Sequence, residues 1–328
     1  MPNMEAEFDR SLFQPLNEEQ KERNLMVRPS LTYWQDAWQR FRRHKPALIA
    51  MLVLLLIFLG AIFIPAISRY DYDQQIRTAR NQFPSWEHLF GTDKLGRDLF
   101  IRVVYGARIS LSIGFVASLI NLTIGVLYGG ISGYIGGRVD NIMMRIVDVL
   151  YSIPLLLYVI LLKVVFQDYI DEAFKNTALA SLKSLGPELI LIYVVLGSVY
   201  WVGMARMVRG QVLSIKNNEY VLAARASGAS GPRIILRHLV PNAIGQIIVT
   251  VTMSIPSAIF TESFLSFIGI GVSAPMASWG SLASDAYKGL ASYPYLLLFP
   301  ALAISVTVLA FNIMGDGLRD ALDPRMRR

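Results

Sequence analysis

Residues 217–242 read NNEYVLAARASGASGPRIILRHLVPN, a polar and basic stretch between two long apolar segments. Such an island is typical of a cytoplasmic loop that joins two membrane-spanning helices. One of its two leading asparagines is suited to cap a helix that opens at Glu219. Gly228 is suited to end that helix, and Pro232 favours the first turn of the next one. The stretch therefore predicts a short helix, a turn and a second helix.

The predicted short helix carries small side chains on one face. Tyr220, Ala223, Ala224 and Ser227 are three and four positions apart, so they lie on one side of a helix. Small side chains let another backbone approach closely. The pattern therefore suits a helix that lies in a groove on a partner protein.

This stretch resembles the cytoplasmic EAA loop of permease subunits in bacterial ABC importers. The resemblance rests on Ala223-Ala224, Gly228 and Pro241, and on the longer patterns EYxxAARxxGAS and RHxxPN of the oligopeptide, dipeptide and nickel group. It implies a coupling helix that docks on a separate ATP-hydrolysing subunit. Leu222 stands where the family has the glutamate of its Glu-Ala-Ala triplet, so one polar contact with the ATPase is expected to differ. The implied coupling residues are Glu219, Tyr220, Ala223, Ala224, Arg225, Gly228 and Pro241.

Composition indicates a membrane protein. The residues are 54% hydrophobic and 17% charged, whereas about 25% are charged in soluble proteins. A hydrocarbon core of about 30 Å needs about 20 helical residues. Four stretches without Asp, Glu, Lys or Arg are long enough, and two more apolar stretches reach this length when they include nearby charges. The six predicted spans are 46–68, 109–137, roughly 142–165, roughly 188–209, 238–261 (with its helix from about Ala243 to Phe260) and 289–315.

Six spans put both termini on one side of the membrane, and the basic residues indicate which side. Twenty lysines and arginines fall in the proposed inner segments and nine in the proposed outer loops. The positive-inside rule therefore favours an all-α integral membrane protein with six transmembrane helices and both termini cytoplasmic. The net charge of +7 reflects this topology and gives no indication of a nucleic-acid partner.

The resemblance implies the type I ABC importer permease fold, in a bacterial inner (cytoplasmic) membrane. Four separate motifs between about residues 90 and 325 carry it. We divide the chain into a cytoplasmic tail with an amphipathic elbow helix, a first transmembrane helix with its outer loop, a permease core and a cytoplasmic C-terminal tail. These parts are 1–45, 46–107, 108–317 with the coupling loop 217–242, and 318–328.

Residues 30–45 predict the amphipathic elbow helix. Trp34, Trp38 and Phe41 share one face, and basic residues crowd the end that meets the first span. Such a helix lies in the headgroup region of the bilayer, with its aromatic side chains inward. The alternative is a simple juxtamembrane cluster of positive charge.

Two outer segments are singled out for contacts outside the pore. GTDKLGRD resembles the same permease group, and its two glycines indicate tight turns. Asp93, with Arg97 or Asp98, is expected to pin this loop, which braces the outer mouth or touches a solute-binding protein. The connection at 166–187 is longer than the resemblance implies. It is either an insertion that contacts a binding protein or the partner permease, or decoration.

Small residues and prolines predict where helices pack closely and where they break. The glycines at positions 125, 129, 133 and 137 share one face of the second span and predict a packing seam, against this chain's own helices or against a partner. Pro154 should kink the third span. Gly269, Gly271 and Pro275 indicate a partly re-entrant turn. The two glycines of NIMGDGLRD are expected to end the last helix.

Two acidic residues are candidates for the translocation path or a gate. An ionised Asp near mid-bilayer costs about 2.5–3.5 kcal/mol on insertion scales, so Asp148 should face protein or water. Its three competing roles are an ion pair with Arg145, a hydrogen bond at a helix interface, and a place on the solute path. Glu262 is expected to form a salt bridge or an outer gate.

The sequence lacks the residue patterns that ATP binding, thiol chemistry, metal binding and nucleophilic catalysis require. No GxxxxGK[ST] occurs, so the chain has no P-loop for ATP, and it has no cysteine. Its three histidines (His44, His88 and His238) have no metal-ligand spacing, and no nucleophile stands with a base. The energy must come from another subunit or from an ion gradient. The resemblance implies ATP and Mg²⁺ on partner ATPases and no metal or cofactor in this chain.

These observations together predict a permease subunit that forms half of a translocation pore and is not itself an enzyme. The resemblance implies four kinds of partner: a second homologous permease, two ATPase subunits, an extracytoplasmic solute-binding protein and membrane lipid. Oligopeptides or dipeptides are the expected cargo, and nickel or another small solute is the alternative. A different class is an ion-gradient-driven secondary transporter, which would use Asp148 or Glu262 and would show internal repeats. No convincing repeat is present, and that class gives the 217–242 loop no role.

Overall fold

The computed structural model describes residues 32–176, 186–272 and 276–323. Regular structure in these ranges is helical, apart from one isolated antiparallel bridge between Thr92 and Asp98 and a 3₁₀ turn at Arg77–Ala79. Pro275 and most of the 166–187 connection after Asn176 lie outside the described residues, so the predictions made for them stay predictions. The helices of the described ranges are α1 Tyr33–Arg43, α2 Lys45–Ile67, α3 Leu99–Ile135, α4 Gly137–Ser152, α5 Leu155–Asn176, α6 Pro187–Ile215, α7 Glu219–Ala226, α8 Gly231–Phe267, α9 Trp279–Tyr287 and α10 Tyr295–Leu322.

Five of the described helices, α2, α3, α6, α8 and α10, are each long and apolar enough to cross a membrane. The pair α4 and α5 qualifies when taken together, and it is bent by 92° at the break between its members. Pro154 lies in that break, and Ile153 before it is extended at φ −78° and ψ 124°. A proline removes one backbone donor and disfavours helical geometry in the residue before it. The predicted kink and the predicted six spans are therefore confirmed, with the bent pair counted as one span.

Helix α3 begins ten residues before the apolar stretch that predicted it. The Asp98 carboxylate accepts a hydrogen bond from the Ile101 amide at 3.0 Å and caps the helix. Arg108, which bounded the predicted span, donates to the backbone carbonyls of Ala61 at 2.5 Å and Ile62 at 2.7 Å on α2. The start predicted from charge was wrong, because this cation is satisfied by a neighbouring helix.

Helix α8 likewise starts at Gly231, well before the predicted Ala243. The chain passes through Pro241 without a break because residues Ile235–Leu239 form a π-helical segment just before it. A proline ring clashes with the carbonyl four residues earlier, and wider π-helical spacing changes which carbonyls the following residues face. One continuous 37-residue helix therefore begins within the 217–242 stretch and runs to the far end of the span.

The predicted glycine seam packs against this chain's own helix α6. A Cβ atom added at Gly125 would meet Met204, one at Gly129 would meet the Ala205 backbone, and one at Gly133 would meet Val212. All three of these partners on α6 are themselves buried. Gly137 lies past the end of α3 with open space around it, so it does not join the seam.

The two ends of the described chain meet beside α2. Phe41 of α1 is buried with Ala47 and Ala321, whereas Trp34 and Trp38 are half exposed. The amphipathic helix is therefore confirmed, but Phe41 packs inside the protein and leaves the tryptophans as the exposed aromatic pair. Gly317 does not end α10, which continues to Leu322, and neither does Gly315. The glycine at 317 instead leaves room for Ala47 of α2.

Candidate functional site in the loop helix and the intramembrane polar groups

Backbone hydrogen bonds and a glycine at positive φ define the two ends of α7. The Asn218 carbonyl accepts from the amides of Val221 at 2.9 Å and Leu222 at 3.1 Å, which starts the helix. Helix α7 ends at Ala226, and Gly228 follows with φ +79°. The Ala229 amide then donates to the Ala224 carbonyl at 3.1 Å. The predicted glycine terminator is confirmed, since a residue at positive φ after the last turn satisfies these carbonyls.

One side chain fixes α7 to the membrane helices. Val221 is fully buried, at 0% exposure. It packs in an apolar cluster with residues of α6 and of the first turns of α8, including Val208, Val212, Ile234 and Leu239. Burying a valine stabilises such a contact by about 1.5–3 kcal/mol. The loop helix is therefore held against the inner ends of two spans and does not hang free.

The rest of the α7 surface is exposed and partly apolar. Tyr220 is 38% exposed and Leu222 46%, and Ala223 is exposed while Ala224 is half-buried. Leu236, one turn into α8, adds a further exposed apolar side chain at 57%. The predicted small-residue face is thus present. Leu222 also presents an apolar side chain at the position where the resemblance implied a carboxylate.

The remaining predicted loop residues are divided between this face and other contacts. Glu219 lies exposed in the first turn of α7, where a carboxylate is favoured by the helix dipole. The Arg225 guanidinium lies 5.5 Å from the centre of the Tyr134 ring, a cation–π contact with α3. Pro241 is exposed but lies in α8, about 10 Å along the helix from Ile234. The structure thus brings Glu219 to Gly228 together and leaves Pro241 apart.

Asp148 forms an ion pair, but not with the residue that was considered in the sequence. Its carboxylate accepts from Arg206 of α6 at 2.8 Å rather than from Arg145. The Arg206 guanidinium also lies 4.4 Å from the centre of the Tyr151 ring. Both charged side chains remain accessible, Asp148 at 57% and Arg206 at 38%. Arg206 was missed because nothing in the local sequence links positions on separate helices.

A second ion pair between α4 and α6 was not anticipated. Asp140 accepts from Arg209 through both carboxylate oxygens, at 2.5 and 2.7 Å, and from the Ser132 hydroxyl at 2.5 Å. The Asp140 side chain is 9% exposed. Such a bidentate guanidinium–carboxylate contact is strong and directional. The sequence offered a signal in an acidic residue just after Gly137, but the pairing partner is 69 positions away.

The predicted salt bridge of Glu262 is wrong. Glu262 is fully buried, at 0% exposure. Its carboxyl group accepts from the hydroxyls of Ser110 at 3.0 Å and Ser266 at 2.7 Å. The Ser110 hydroxyl in turn accepts from the Trp279 amide at 3.3 Å, the first residue of α9. Serine hydroxyls, rather than a cation, therefore satisfy this carboxyl group and tie α8 to α3 and α9.

The outer loop is pinned as predicted. Asp93 pairs with Arg97 at 2.6 Å, and Asp98 meets His88 at 2.8 Å in addition to capping α3. Gly91 and Gly96, both at φ +79°, provide the tight turns.

A stacked tyrosine pair fixes the beginning of the same loop. The Tyr72 and Tyr105 ring centroids lie 3.8 Å apart. Burial, together with the neighbouring Tyr105 and Asp73, raises the pKa of Tyr72 to about 12. The Tyr72 phenol therefore stays protonated at neutral pH, and the stack joins the loop to α3 without charge.

Residues 122–328 match the family described as the binding-protein-dependent transport system inner membrane component. Because the match spans more than half of the chain, this protein belongs to that family of inner-membrane transport permeases. Residues 32–84 also match the N-terminal transmembrane domain of oligopeptide transport permease C.

Individual relatives place the chain within one branch of the family. The oligopeptide transport system permease protein OppC of Bacillus subtilis is 47% identical, with 97% of this chain and 98% of the relative covered. The dipeptide transport system permease protein DppC of Bacillus subtilis is 50% identical, with 95% and 92% covered. OppC of Escherichia coli K12 is 44% identical, with 90% and 92% covered.

A solved structure supports the fold. An inward-facing structure of the MetNI methionine ABC transporter aligns with a TM-score of 0.51 at 18% identity, covering 69% of this chain and 96% of the other. The predicted type I permease fold is thereby confirmed.

Proposed function

We propose that this chain is a permease subunit of an ATP-driven importer of oligopeptides or dipeptides. It forms half of a pore with a second homologous permease and works with an extracytoplasmic solute-binding protein. The inference of peptide cargo is supported by relatives named for oligopeptide and dipeptide transport at 47% and 50% identity over nearly the whole chain. Both termini lie in the cytoplasm, on the side of α7.

Helix α7 is the element that couples ATP hydrolysis in the partner ATPase to movement of the pore helices. It is anchored by the buried Val221, and it exposes Tyr220, Leu222 and Ala223 on a loop outside the apolar spans. An exposed apolar face on a rigidly held element is a feature of protein interaction sites. A separate ATPase subunit docks on this face, so that ATP-driven movement of the ATPase displaces the ends of α6 and α8. Two such ATPases bind ATP and Mg²⁺, for which this chain has no P-loop.

One face of α8 supplies the polar lining of the proposed path. Asn242, Gln246, Thr250, Ser257 and Thr261 fall within about 100° of one another around the helix, and none of them is fully buried. Uncharged hydroxyl and amide groups give a peptide backbone hydrogen-bond partners without binding it tightly. Asp148 pairs with Arg206 of α6, and Tyr200 of the same helix contacts Ser257 and Thr261 of this face. This arrangement supports a place on the path for Asp148. Glu262, enclosed by serines, holds the outer ends of the helices together.

The test is an uncoupling assay on the reconstituted complex. Ala223→Trp adds bulk to the exposed face, and Gly228→Val opposes the positive φ that ends α7. Both variants should insert in the membrane and pair with the second permease. Both should lose at least about tenfold in peptide uptake per ATP hydrolysed, because docking of the ATPase is disturbed. Leu119→Trp is the matched control, since Leu119 is an exposed apolar residue on α3 away from the loop. Normal uptake by both loop variants would refute the docking role of α7.

A further inference from the structure

An open strip of α6 runs between two of its neighbouring helices. Gly203, Arg206 and Gly210 are three and four positions apart, so they share one side of α6. Apart from the neighbouring backbone of α6 itself, a Cβ atom added at either glycine would meet no atom of the described chain within 4 Å. These glycines therefore differ from those of the α3 seam, which face the backbone and side chains of another helix.

Hydrogen bonds define the two sides of this strip. On one side, Arg206 reaches Asp148 of α4 at 2.8 Å. On the other, the Tyr200 hydroxyl reaches α8, where it donates to the Ser257 carbonyl and contacts Thr261 at 2.7 Å. At about 100° per residue, the two glycines lie between Arg206 and Tyr200 around α6. We name this region the α6 groove: Gly203 and Gly210 as its floor, Asp148 and Arg206 on the α4 side, and Ser257 and Thr261 on the α8 side.

The ion pair of the α6 groove lies inside the predicted spans, toward their inner ends. Arg206 is three residues before the end of the predicted span 188–209, about 5 Å along the helix. Asp148 is six residues after the start of the predicted span 142–165, about 9 Å. Accessible charges inside a span must face water or protein, because exposure to lipid is costly. The open glycine floor beside them favours a water-filled path.

Holding α4 against α6 does not explain the exposed pair. Asp140 and Arg209 already join the same two helices through two short hydrogen bonds, and Asp140 is enclosed. The Asp148–Arg206 pair has one hydrogen bond between its members, and the Asp148 side chain is more than half exposed. The Asp140–Arg209 pair is therefore an enclosed clamp between the helices, whereas the Asp148–Arg206 pair presents two accessible opposite charges.

On the basis of the proposed peptide import, we propose that the Asp148–Arg206 pair is a zwitterion-selective contact in the translocation path. A peptide carries an ammonium group and a carboxylate at its two ends. Arg206 exchanges Asp148 for the peptide carboxylate, and Asp148 binds the peptide ammonium. A zwitterion thus compensates both protein charges at once, whereas a solute with a single charge leaves one of them unpaired between the helices, where charges are screened less than in bulk water. The Tyr151 ring holds the guanidinium in place during the exchange.

The experiment compares three forms of one tripeptide: unmodified, N-acetylated and C-amidated. Uptake is measured in proteoliposomes that contain the complete transporter, with the same binding protein saturated by each form. Asp148→Asn leaves Arg206 unpaired and should shift the ratio of N-acetylated to C-amidated uptake upward by about tenfold. Arg206→Gln leaves Asp148 unpaired and should shift the same ratio downward by about tenfold. The preference of the binding protein cancels when variants are compared with the wild type.

Three further variants separate selectivity from structure. Arg206→Lys keeps the charge and should keep the wild-type ratio. The double variant Asp148→Arg with Arg206→Asp restores opposite charges and should restore preference for the unmodified peptide. Asp140→Asn weakens the enclosed clamp, so it should lower the yield of the complex and leave the ratio unchanged. A ratio that moves equally in Asp140→Asn would overturn the proposal.

Failure of this inference is distinguishable from failure of the proposed function. If the wild-type complex imports no form of the peptide with ATP, the proposed function is wrong. If it imports the unmodified peptide and both single variants keep the wild-type ratio, the zwitterion contact is wrong and peptide import stands. Loss of the second permease from the purified complex in Asp148→Asn and Arg206→Gln would assign the pair to a subunit interface and would also overturn the inference.

Discussion

Glycine determines how closely α3 approaches α6. At Gly129 the backbone of Ala205 occupies the space that a Cβ atom would need, and at Gly133 the side chain of Val212 does so. Such contacts replace the hydrophobic driving force that is absent between helices in lipid. The energetic role of each glycine therefore depends on what stands opposite it.

Gly129→Leu should destabilise the protein by about 1–3 kcal/mol or more, because the new side chain would overlap the α6 backbone. Gly203→Ala is the matched control, since its Cβ atom would enter open space. In a helix this change should stabilise by about 0.5–1 kcal/mol. Thermal unfolding in detergent measures both. A Gly129→Leu protein as stable as the wild type would contradict the packing described for this seam.

Glu262 is expected to act through its oxygen atoms rather than through charge. Glu262→Leu leaves the hydroxyls of Ser110 and Ser266 without their acceptor, which should cost about 1–3 kcal/mol. Glu262→Gln keeps a carbonyl acceptor and should cost less than half as much. Thermal unfolding gives the two values, and proteolysis between α8 and α9 reports whether α9 loosens. Equal losses in the two variants would indicate that the ionised carboxylate is required.

At the scale of elements, Asp98 joins the outer loop to the first turn of α3. Asp98 caps α3 and also contacts the buried His88. Asp98→Ala should therefore destabilise the protein by about 1–2 kcal/mol through the lost cap. Lys94→Ala is the control, because the Lys94–Asp285 pair is long, at 3.8 Å, and exposed. Its removal should change stability by less than about 1 kcal/mol, as measured by the same unfolding assay.

The sequence predicted the middle of each span well and its ends poorly. An apolar run of 20 residues has few alternatives to a membrane helix, so α2 and α10 were located from composition alone. The ends of α3 and α8 were misplaced because Arg108 is satisfied by carbonyls of α2 and because a π-helical segment admits Pro241. Neither compensation is visible in local periodicity.

In the candidate site, too, features encoded by local sequence were predicted and contacts between distant residues were not. The loop residues Glu219 to Gly228 were predicted because capping, small-residue spacing and the terminating glycine are all local signals. Arg206 was missed because its partner lies 58 positions away on another helix. Glu262 was assigned a salt bridge, since a membrane carboxylate usually pairs with a cation. In the folded protein, the hydroxyls of Ser110 on α3 and Ser266 on α8 donate hydrogen bonds to this carboxyl group instead.

At the scale of the whole molecule, the membrane topology can be tested without first replacing any native cysteine. The chain contains no cysteine, so a single introduced thiol is the sole target for labelling. Ser227→Cys, next to α7, should react with a membrane-impermeant maleimide in inverted vesicles but not in intact cells. Trp86→Cys, at a position 99% exposed in the outer loop, should react from outside. The opposite pattern would reverse the proposed orientation.

Helix α8 begins three residues after Gly228 and continues without interruption to Phe267. Its length is about 55 Å, well beyond the hydrocarbon thickness. The helix can bend at two places, the π-helical turns near its base and Pro256, which lacks a backbone donor. Between these two places it moves as one piece. Tilting it about any point between its ends must swing the two ends in opposite directions, by amounts proportional to their distances from that point. Widening at one mouth is therefore accompanied by narrowing at the other as a matter of geometry, with no separate signal passing between them.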